Sequence, residues 1–156
     1  MANSLRKRRP QKTIKSREAA RKGLTEEQQE SLLSLIKPQS EKNPFSQELQ
    51  ERNQLMVLLL YHLGLRAGEL LALRVSDFDF QKNTVLIARR HDNINDVRTY
   101  QPVVKTIDRR IPLADTLIKP VSDYVLGERR RFSDAKQHDY LFVVHQTGPF
   151  SGQPLS

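Results

Sequence analysis

The chain of 156 residues contains no cysteine and no tryptophan, and aromatic side chains make up only 6% of it. Without cysteine there is neither a disulfide framework nor a thiolate metal site, which favours an intracellular protein over a small secreted one. Long apolar runs are also lacking, since the longest, Leu55 to Tyr61, is far shorter than the ~20 residues of a membrane span. The basic N-terminus has no apolar segment behind it, so we expect neither a signal peptide nor a membrane partner.

The composition that remains, 37% hydrophobic and 28% charged, is typical of one globular domain. Charge is unevenly placed along the chain. Residues 1–22 hold nine of the 26 basic residues and one acidic residue, Glu18, which gives this segment a net charge of +8. The other residues carry 17 basic and 17 acidic groups and are electroneutral. The net charge of the protein therefore lies in its N-terminal segment.

This basic segment has too few apolar side chains to bury a core. We expect residues 1–23 to be a flexible tail or an interdomain linker, and residues 24–156 to be the folded part. Its charge suits the phosphate backbone of double-stranded DNA, and the candidate contacts are Arg6, Lys7, Arg8 and Arg9. Charge alone is equally compatible with a solubilising or targeting tail that has no specific ligand.

Apolar periodicity predicts an α+β fold that is mainly helical. The predicted helices run from Leu24 to a stop at Pro38, and over residues 44–63, 66–73 and 114–132. Thr25-Glu26-Glu27-Gln28 has the form of a capping box, and Ser46 is a candidate cap of the second helix. Gly64 occupies a position where helices often end in a left-handed turn, so Arg66 lies at a helix boundary.

Strands are predicted at residues 84–88, 103–106 and 110–113, which contain β-branched and apolar residues and are flanked by turn residues. They would form a small antiparallel sheet, preceded by a turn at 76–79, and residues 140–144 could add a short strand. The polar stretch from Arg90 to Tyr100 is predicted to be an exposed loop.

Three side-chain environments also follow from these patterns. Tyr61 and Tyr124 fall on apolar helical stripes and are expected in the core. The three arginines Arg129 to Arg131 are expected to form a solvated helix end. Arg109 and Arg110 are expected either to contact phosphate or to be solvated.

Breaking and rejoining a phosphodiester needs cations that hold the non-bridging oxygens and an acid that protonates the leaving oxygen. Arginine suits the first task and a lysine on a short hairpin suits the second. The string Leu63-Gly64-Leu65-Arg66-Ala67-Gly68-Glu69-Leu70 resembles the first arginine motif of the tyrosine recombinases, or phage integrases. The segment from Val104-Lys105-Thr106 to Ile111-Pro112-Leu113 is similar to the lysine hairpin of that family.

The resemblance implies that Arg66 contacts the scissile phosphate and that Lys105 is the general acid to the 5' oxygen. Glu69 would support the arginine motif, and Asp77 would be a structural residue at the turn into the sheet. Residues 24–156 would then be the first part of a recombinase catalytic domain. Neither a metal nor a nucleotide cofactor is implied, because arginine and lysine neutralise the charge and a phosphotyrosyl link retains the bond energy.

The later motifs of the family are missing. No histidine of this chain is followed by arginine three residues later, and all four tyrosines precede the expected place of the nucleophile. The resemblance therefore implies a fragment that is inactive alone. It also implies that the protein assembles into homo-oligomers on DNA and is located in a bacterial or phage-associated cytoplasm, at the nucleoid. Whether this chain is part of an enzyme stays open.

Two other functions remain at this point. One is a DNA-binding or accessory protein that keeps the recombinase scaffold without catalysis, and the reading frame beyond Ser156 would separate it from the enzyme. The other is a basic nucleic-acid-associated structural protein whose motif match is accidental.

Overall fold

A computed structural model describes residues 23–90, 96, 98, 101–102 and 107–156. Within these ranges four α-helices and a three-stranded antiparallel sheet form the α+β fold that the sequence predicts. The helices are α1 (Glu26–Leu35), α2 (Gln47–Leu63), α3 (Ala67–Ala72) and α4 (Asp115–Leu126). The strands are β1 (Phe78–Asp79), β2 (Thr84–Ile87) and β3 (Arg109–Pro112). No helix in the described ranges is long and apolar enough to cross a membrane.

The capping box of α1 is confirmed. The backbone N–H of Gln28 donates to Thr25 Oγ1 at 3.3 Å, and the N–H of Thr25 donates to Gln28 Oε1 at 2.9 Å. Helix α2 begins at Gln47 rather than at residue 44, and Ser46 at the N-cap makes no capping hydrogen bond with its side chain. The delay has a local cause, because Asn43 Oδ1 accepts the N–H of Phe45 at 3.0 Å in a turn that competes with helix.

The prediction that Tyr61 is a core residue is wrong. Its side chain is 43% exposed, and its hydroxyl donates to Gln29 Oε1 of α1 at 2.8 Å. Leu59, only two residues earlier, is fully buried. At about 100° per residue the two side chains point to opposite sides of α2, so the apolar run is buried on one face only.

The sheet has the order β1-β2-β3, and all neighbours are antiparallel. Strand β1 forms where the sequence predicts a turn, because Phe78 pairs with Val85 and is buried. The predicted strands at 84–88 and 110–113 are confirmed within one residue at their ends. The predicted strand at 103–106 lies outside the described residues. Val85 is opposite Ile111 and Ile87 is opposite Arg109, so these four side chains share the inner face.

Helix α4 is shorter than predicted and ends at Leu126. A Cβ at Gly127 would lie 2.8 Å from the carbonyl oxygen of Asp123, and the chain turns there into a 3-10 helix over Glu128–Arg131. Arg129 is buried rather than solvated, which corrects the prediction. Its guanidinium donates to three backbone carbonyls, those of Tyr140 at 3.0 Å, Ala135 at 2.8 Å and His138 at 2.8 Å.

The segment after residue 138 does not form the predicted regular strand. It makes isolated bridges, between Arg74 and Tyr140 and between Val143 and Pro154. Leu141 and Val143 are nevertheless fully buried, as is expected for an apolar segment that crosses the core. One apolar core joins α2, α3, the sheet, α4 and this segment, and it includes Leu55, Leu59, Leu70, Leu73, Val85, Ile87, Leu117, Val121, Tyr124, Leu141 and Phe142.

Candidate active site

A left-handed turn between α2 and α3 places Arg66. Gly64 adopts φ 59° and ψ 34° and donates its N–H to the carbonyl of Leu60 at 3.1 Å, which ends α2. Leu65 then points into the core and is 7% exposed. Arg66 follows in an extended conformation as the N-cap of α3. The buried leucine and the sharp turn together hold the backbone of Arg66 at the surface.

Glu69 holds this turn from inside the protein. Its Oε2 accepts the backbone N–H of Arg66 at 2.9 Å. Its two carboxylate oxygens also accept from Arg109, at 2.8 Å to Nη1 and 3.2 Å to Nη2. The Glu69 side chain is 2% exposed and that of Arg109 is 37% exposed. The hydrogen bond to Glu69 raises the pKa of Arg109, and the ion pair joins α3 to β3.

The guanidinium of Arg66 is exposed, and within the described part of the chain it makes no hydrogen bond or ion pair. It is therefore available to an external anion. Arg110 is also exposed and points to the outer face of β3, where its Nη1 donates to Thr84 Oγ1 at 3.3 Å. Lys105, the predicted general acid, lies outside the described residues, as do Arg6, Lys7, Arg8 and Arg9.

Asp77 lies buried in a 3-10 turn between α3 and β1. Its Oδ2 accepts the N–H of Arg74 at 2.8 Å and Nη1 of Arg90 at 2.9 Å, and Arg90 Nη2 donates to Oδ1. Arg90 Nη1 also donates to the carbonyl of Ala72 at 3.1 Å. Asp77 thus links the end of α3 to the segment that follows β2.

Arg98 belongs to a second polar cluster that the sequence did not predict. The stretch 90–100 is predicted to be exposed, but Arg98 is 9% exposed, which corrects that prediction. Its Nη1 donates to the carbonyls of Leu71 at 2.9 Å and Leu155 at 3.0 Å, and Nη2 pairs with Asp96 Oδ2 at 2.7 Å. In the sequence, Asp96 and Arg98 lie two residues apart, and this spacing alone does not indicate a buried ion pair.

Asp96 is held as an anion by this cluster. Burial raises its pKa, but hydrogen bonds from Arg98 and from the Tyr140 hydroxyl, the latter at 2.8 Å, leave the pKa below its usual value. Within the described ranges, no group of three or more His, Asp or Glu side chains is arranged to hold a metal ion. The described site is thus one of arginines backed by carboxylates.

Known proteins resemble this chain in sequence or in fold. Transposase A from transposon Tn554 of Staphylococcus aureus is 33% identical over 105 residues, which are 67% of this chain and 27% of the transposase. Tyrosine recombinase XerD of Halalkalibacterium halodurans is 32% identical over 132 residues, 85% of this chain and 37% of XerD.

A structural comparison shows the same fold in a solved protein. The Tn1549 transposon integrase, in complex with a circular intermediate DNA, superposes with a TM-score of 0.61 at 22% identity, over 92% of this chain and 42% of the integrase chain. The chain spans less than half the length of each of these relatives. The sequence also matches the profile of the Phage integrase family over residues 22–156, so the motif match is not accidental. The chain belongs to the phage integrase family of tyrosine recombinases.

Proposed function

We propose that this chain is the part of a site-specific recombinase that binds duplex DNA and supplies Arg66 as a ligand of the phosphate at which strands are broken and rejoined. The observation that carries the proposal is the Arg66 guanidinium, exposed and without an ion pair in the described part of the chain. Its backbone is fixed by Gly64 and by the buried carboxylate of Glu69. An arginine held in this way suits bidentate recognition of a phosphate.

Breaking the phosphodiester also needs a general acid, and Lys105 is the candidate in this chain. Lys105 would protonate the 5' oxygen that leaves the phosphorus, while the charge on the non-bridging oxygens is neutralised by Arg66. All four tyrosines precede the place that the family resemblance implies for the nucleophile, so we expect these 156 residues alone to bind DNA without cleaving it. Residues 1–23 would act as a basic tail or linker, and residues 24–156 as part of the catalytic domain.

DNA as the partner is supported by charge and by relatives. Segment 1–22 carries a net charge of +8, and Arg110 adds an exposed cation on the outer face of β3. The Tn1549 integrase was solved with circular intermediate DNA and with transposon right end DNA. We further expect assembly into homo-oligomers on the DNA and a location at the nucleoid, since the substrate lies there.

The salt dependence of duplex DNA binding tests this function. Each phosphate contact contributes about 0.9 to the slope of log K against log salt. Arg66→Ala should reduce the slope by about that amount and weaken binding at every salt concentration, measured by fluorescence anisotropy. Arg130→Ala is the matched control, because Arg130 is also exposed but belongs to the 3-10 helix after α4. Equal slopes for Arg66→Ala and the unmodified chain would overturn the proposal.

A further inference from the structure

Arg109 and Arg110 are neighbours on β3 with opposite orientations. Arg109 is opposite Ile87 on the inner face and reaches the buried Glu69, whereas Arg110 is opposite Leu86 on the outer face. Sequence alone treats both as candidate phosphate contacts. The geometry separates them, because the guanidinium of Arg109 already binds both oxygens of a carboxylate.

The Glu69 carboxylate connects Arg109 to Arg66. Oxygen Oε2 accepts both Nη2 of Arg109 at 3.2 Å and the backbone N–H of Arg66 at 2.9 Å. The connection therefore runs from the start of β3, through one buried carboxylate, to the N-cap of α3. In contrast to Arg109, Arg66 has its guanidinium exposed.

We propose that Arg109 is a positioning residue for Arg66, and not a DNA phosphate contact of its own. By holding the Glu69 carboxylate in one orientation, Arg109 fixes the turn from which Arg66 extends. This inference rests on the proposed function, because it assumes that Arg66 contacts phosphate. It assigns to Arg109 a role that acts only through Arg66.

The physical reason is the burial of Glu69. A buried carboxylate that loses the two hydrogen bonds from Arg109 either rotates toward water or takes up a proton. In both cases the hydrogen bond to the N–H of Arg66 is weakened, and the start of α3 loosens. A displacement on the order of 1 Å at a catalytic cation is enough to lose productive geometry. Lysine cannot replace Arg109 fully, because it lacks the planar fork that binds both oxygens.

A double-variant cycle on the full chain tests this inference. The variants are Arg66→Ala, Arg109→Ala and the combination of the two, with Arg130→Ala as a control for the loss of one exposed charge. Duplex DNA binding is measured by fluorescence anisotropy over a range of salt concentrations. We expect Arg66→Ala and Arg109→Ala each to weaken binding several-fold. The combination should bind no more weakly than Arg66→Ala alone, with the same salt slope.

The outcomes distinguish the two proposals. If Arg66→Ala leaves binding unchanged, the proposed function is wrong. If Arg66→Ala weakens binding but the combination reduces the salt slope by a further ~0.9, Arg109 contacts phosphate directly and the positioning role is wrong. If Arg109→Ala leaves the affinity unchanged while Arg66→Ala lowers it, Arg109 has a purely structural role, which also overturns the inference.

Two more conservative variants allow the test to be made if Arg109→Ala does not fold. If Arg109→Ala does not fold, as judged by circular dichroism, the same cycle is made with Arg109→Lys, which keeps the charge and removes the fork. Glu69→Gln gives an independent arm, because glutamine keeps the size and an acceptor oxygen while removing the charge. We expect Glu69→Gln to be non-additive with both Arg109→Lys and Arg66→Ala. Additive losses in this arm would overturn the inference.

Discussion

The guanidinium of Arg98 lies over the ring of Tyr140, with its carbon 4.2 Å from the ring centroid. Both residues also bind the carboxylate of Asp96, through Nη2 of Arg98 at 2.7 Å and through the Tyr140 hydroxyl at 2.8 Å. Nη1 of Arg98 also donates to the carbonyls of Leu71 and Leu155. One side chain therefore joins the C-terminal end of α3 to residue 155.

Replacing Arg98 should destabilise the protein strongly. Arg98→Met keeps much of the apolar stem but leaves Asp96 buried without its cation and two carbonyls without a donor. We expect a loss of about 2 to 4 kcal/mol in the free energy of unfolding, measured by urea denaturation. Arg131→Ala is the control, because its ion pair with Glu128 is largely exposed on the arginine side and should cost under about 1 kcal/mol. Equal losses for both variants would contradict this role of Arg98.

The sequence predicts those features that depend on a few neighbouring residues. The capping box at Thr25, the left-handed turn at Gly64 and the position of Arg66 each depend on a few consecutive residues, and each is found in the structure. Contacts between distant parts of the chain are not predicted, because they do not depend on neighbouring residues. Arg98 and Arg129 bind backbone carbonyls contributed by segments remote in sequence or by irregular turns, and carbonyls leave no signal in composition or periodicity.

The ion pair between Glu69 and Arg109 could not be predicted from neighbouring residues either. The family resemblance predicted that Glu69 supports the arginine motif, and the residue is buried against the N–H of Arg66. Its second partner lies 40 residues away, and only the register of β3 against β2 decides that Arg109 points inward. Because side chains alternate along a strand, a shift of one residue would have selected Arg110 instead.

Gly64 should be required for its backbone conformation alone. Its φ of +59° is disfavoured for residues with a Cβ, yet a Cβ there would meet no atom within 4 Å. We therefore expect Gly64→Ala to destabilise the protein by about 1 to 2 kcal/mol, with a smaller loss for Gly64→Asn, since asparagine tolerates the left-handed region better. Thermal melting measures both. A loss for asparagine equal to that for alanine would argue against a backbone origin.

Stability should fall as the solution is acidified through the range of histidine titration. Burial lowers the pKa of His145 and that of His138 below 6.5. At pH values between the lowered pKa of the folded protein and 6.5, the unfolded chain binds more protons than the folded chain. The stability that these histidines contribute is therefore complete above pH 6.5 and is lost as the pH falls through this range. The His145 ring contacts the Glu48 carbonyl and the Tyr124 hydroxyl, and the nearby charges are those of Arg52, Glu128 and Glu48.

Melting temperatures at pH 7.5 and 5.5 measure this effect. We expect the unmodified chain to melt at a lower temperature at pH 5.5, and His145→Gln to show a smaller difference between the two conditions. His62→Gln, which changes an exposed residue of α2, is the matched control. A difference for His145→Gln as large as that for the unmodified chain would contradict the role of His145.

The basic N-terminal segment should provide most of the salt dependence of DNA binding. It holds nine basic residues and the whole net charge of +8. Deleting residues 1–22 should weaken binding to duplex DNA and flatten the salt slope by roughly 0.9 for each phosphate that the shortened chain no longer neutralises. Anisotropy titrations of the two chains measure both quantities. Unchanged binding would mean that the folded part makes the main DNA contacts.

The central claim is that Arg66 presents its guanidinium to a DNA phosphate. The most direct measurement is the NMR signal of its side-chain Nε–H as duplex DNA is added to the full chain. The buried Arg129, which is bound to three backbone carbonyls, is the internal reference. We predict that the Arg66 signal shifts progressively while the Arg129 signal stays in place. A saturated complex in which the Arg66 signal has not moved would contradict the claim.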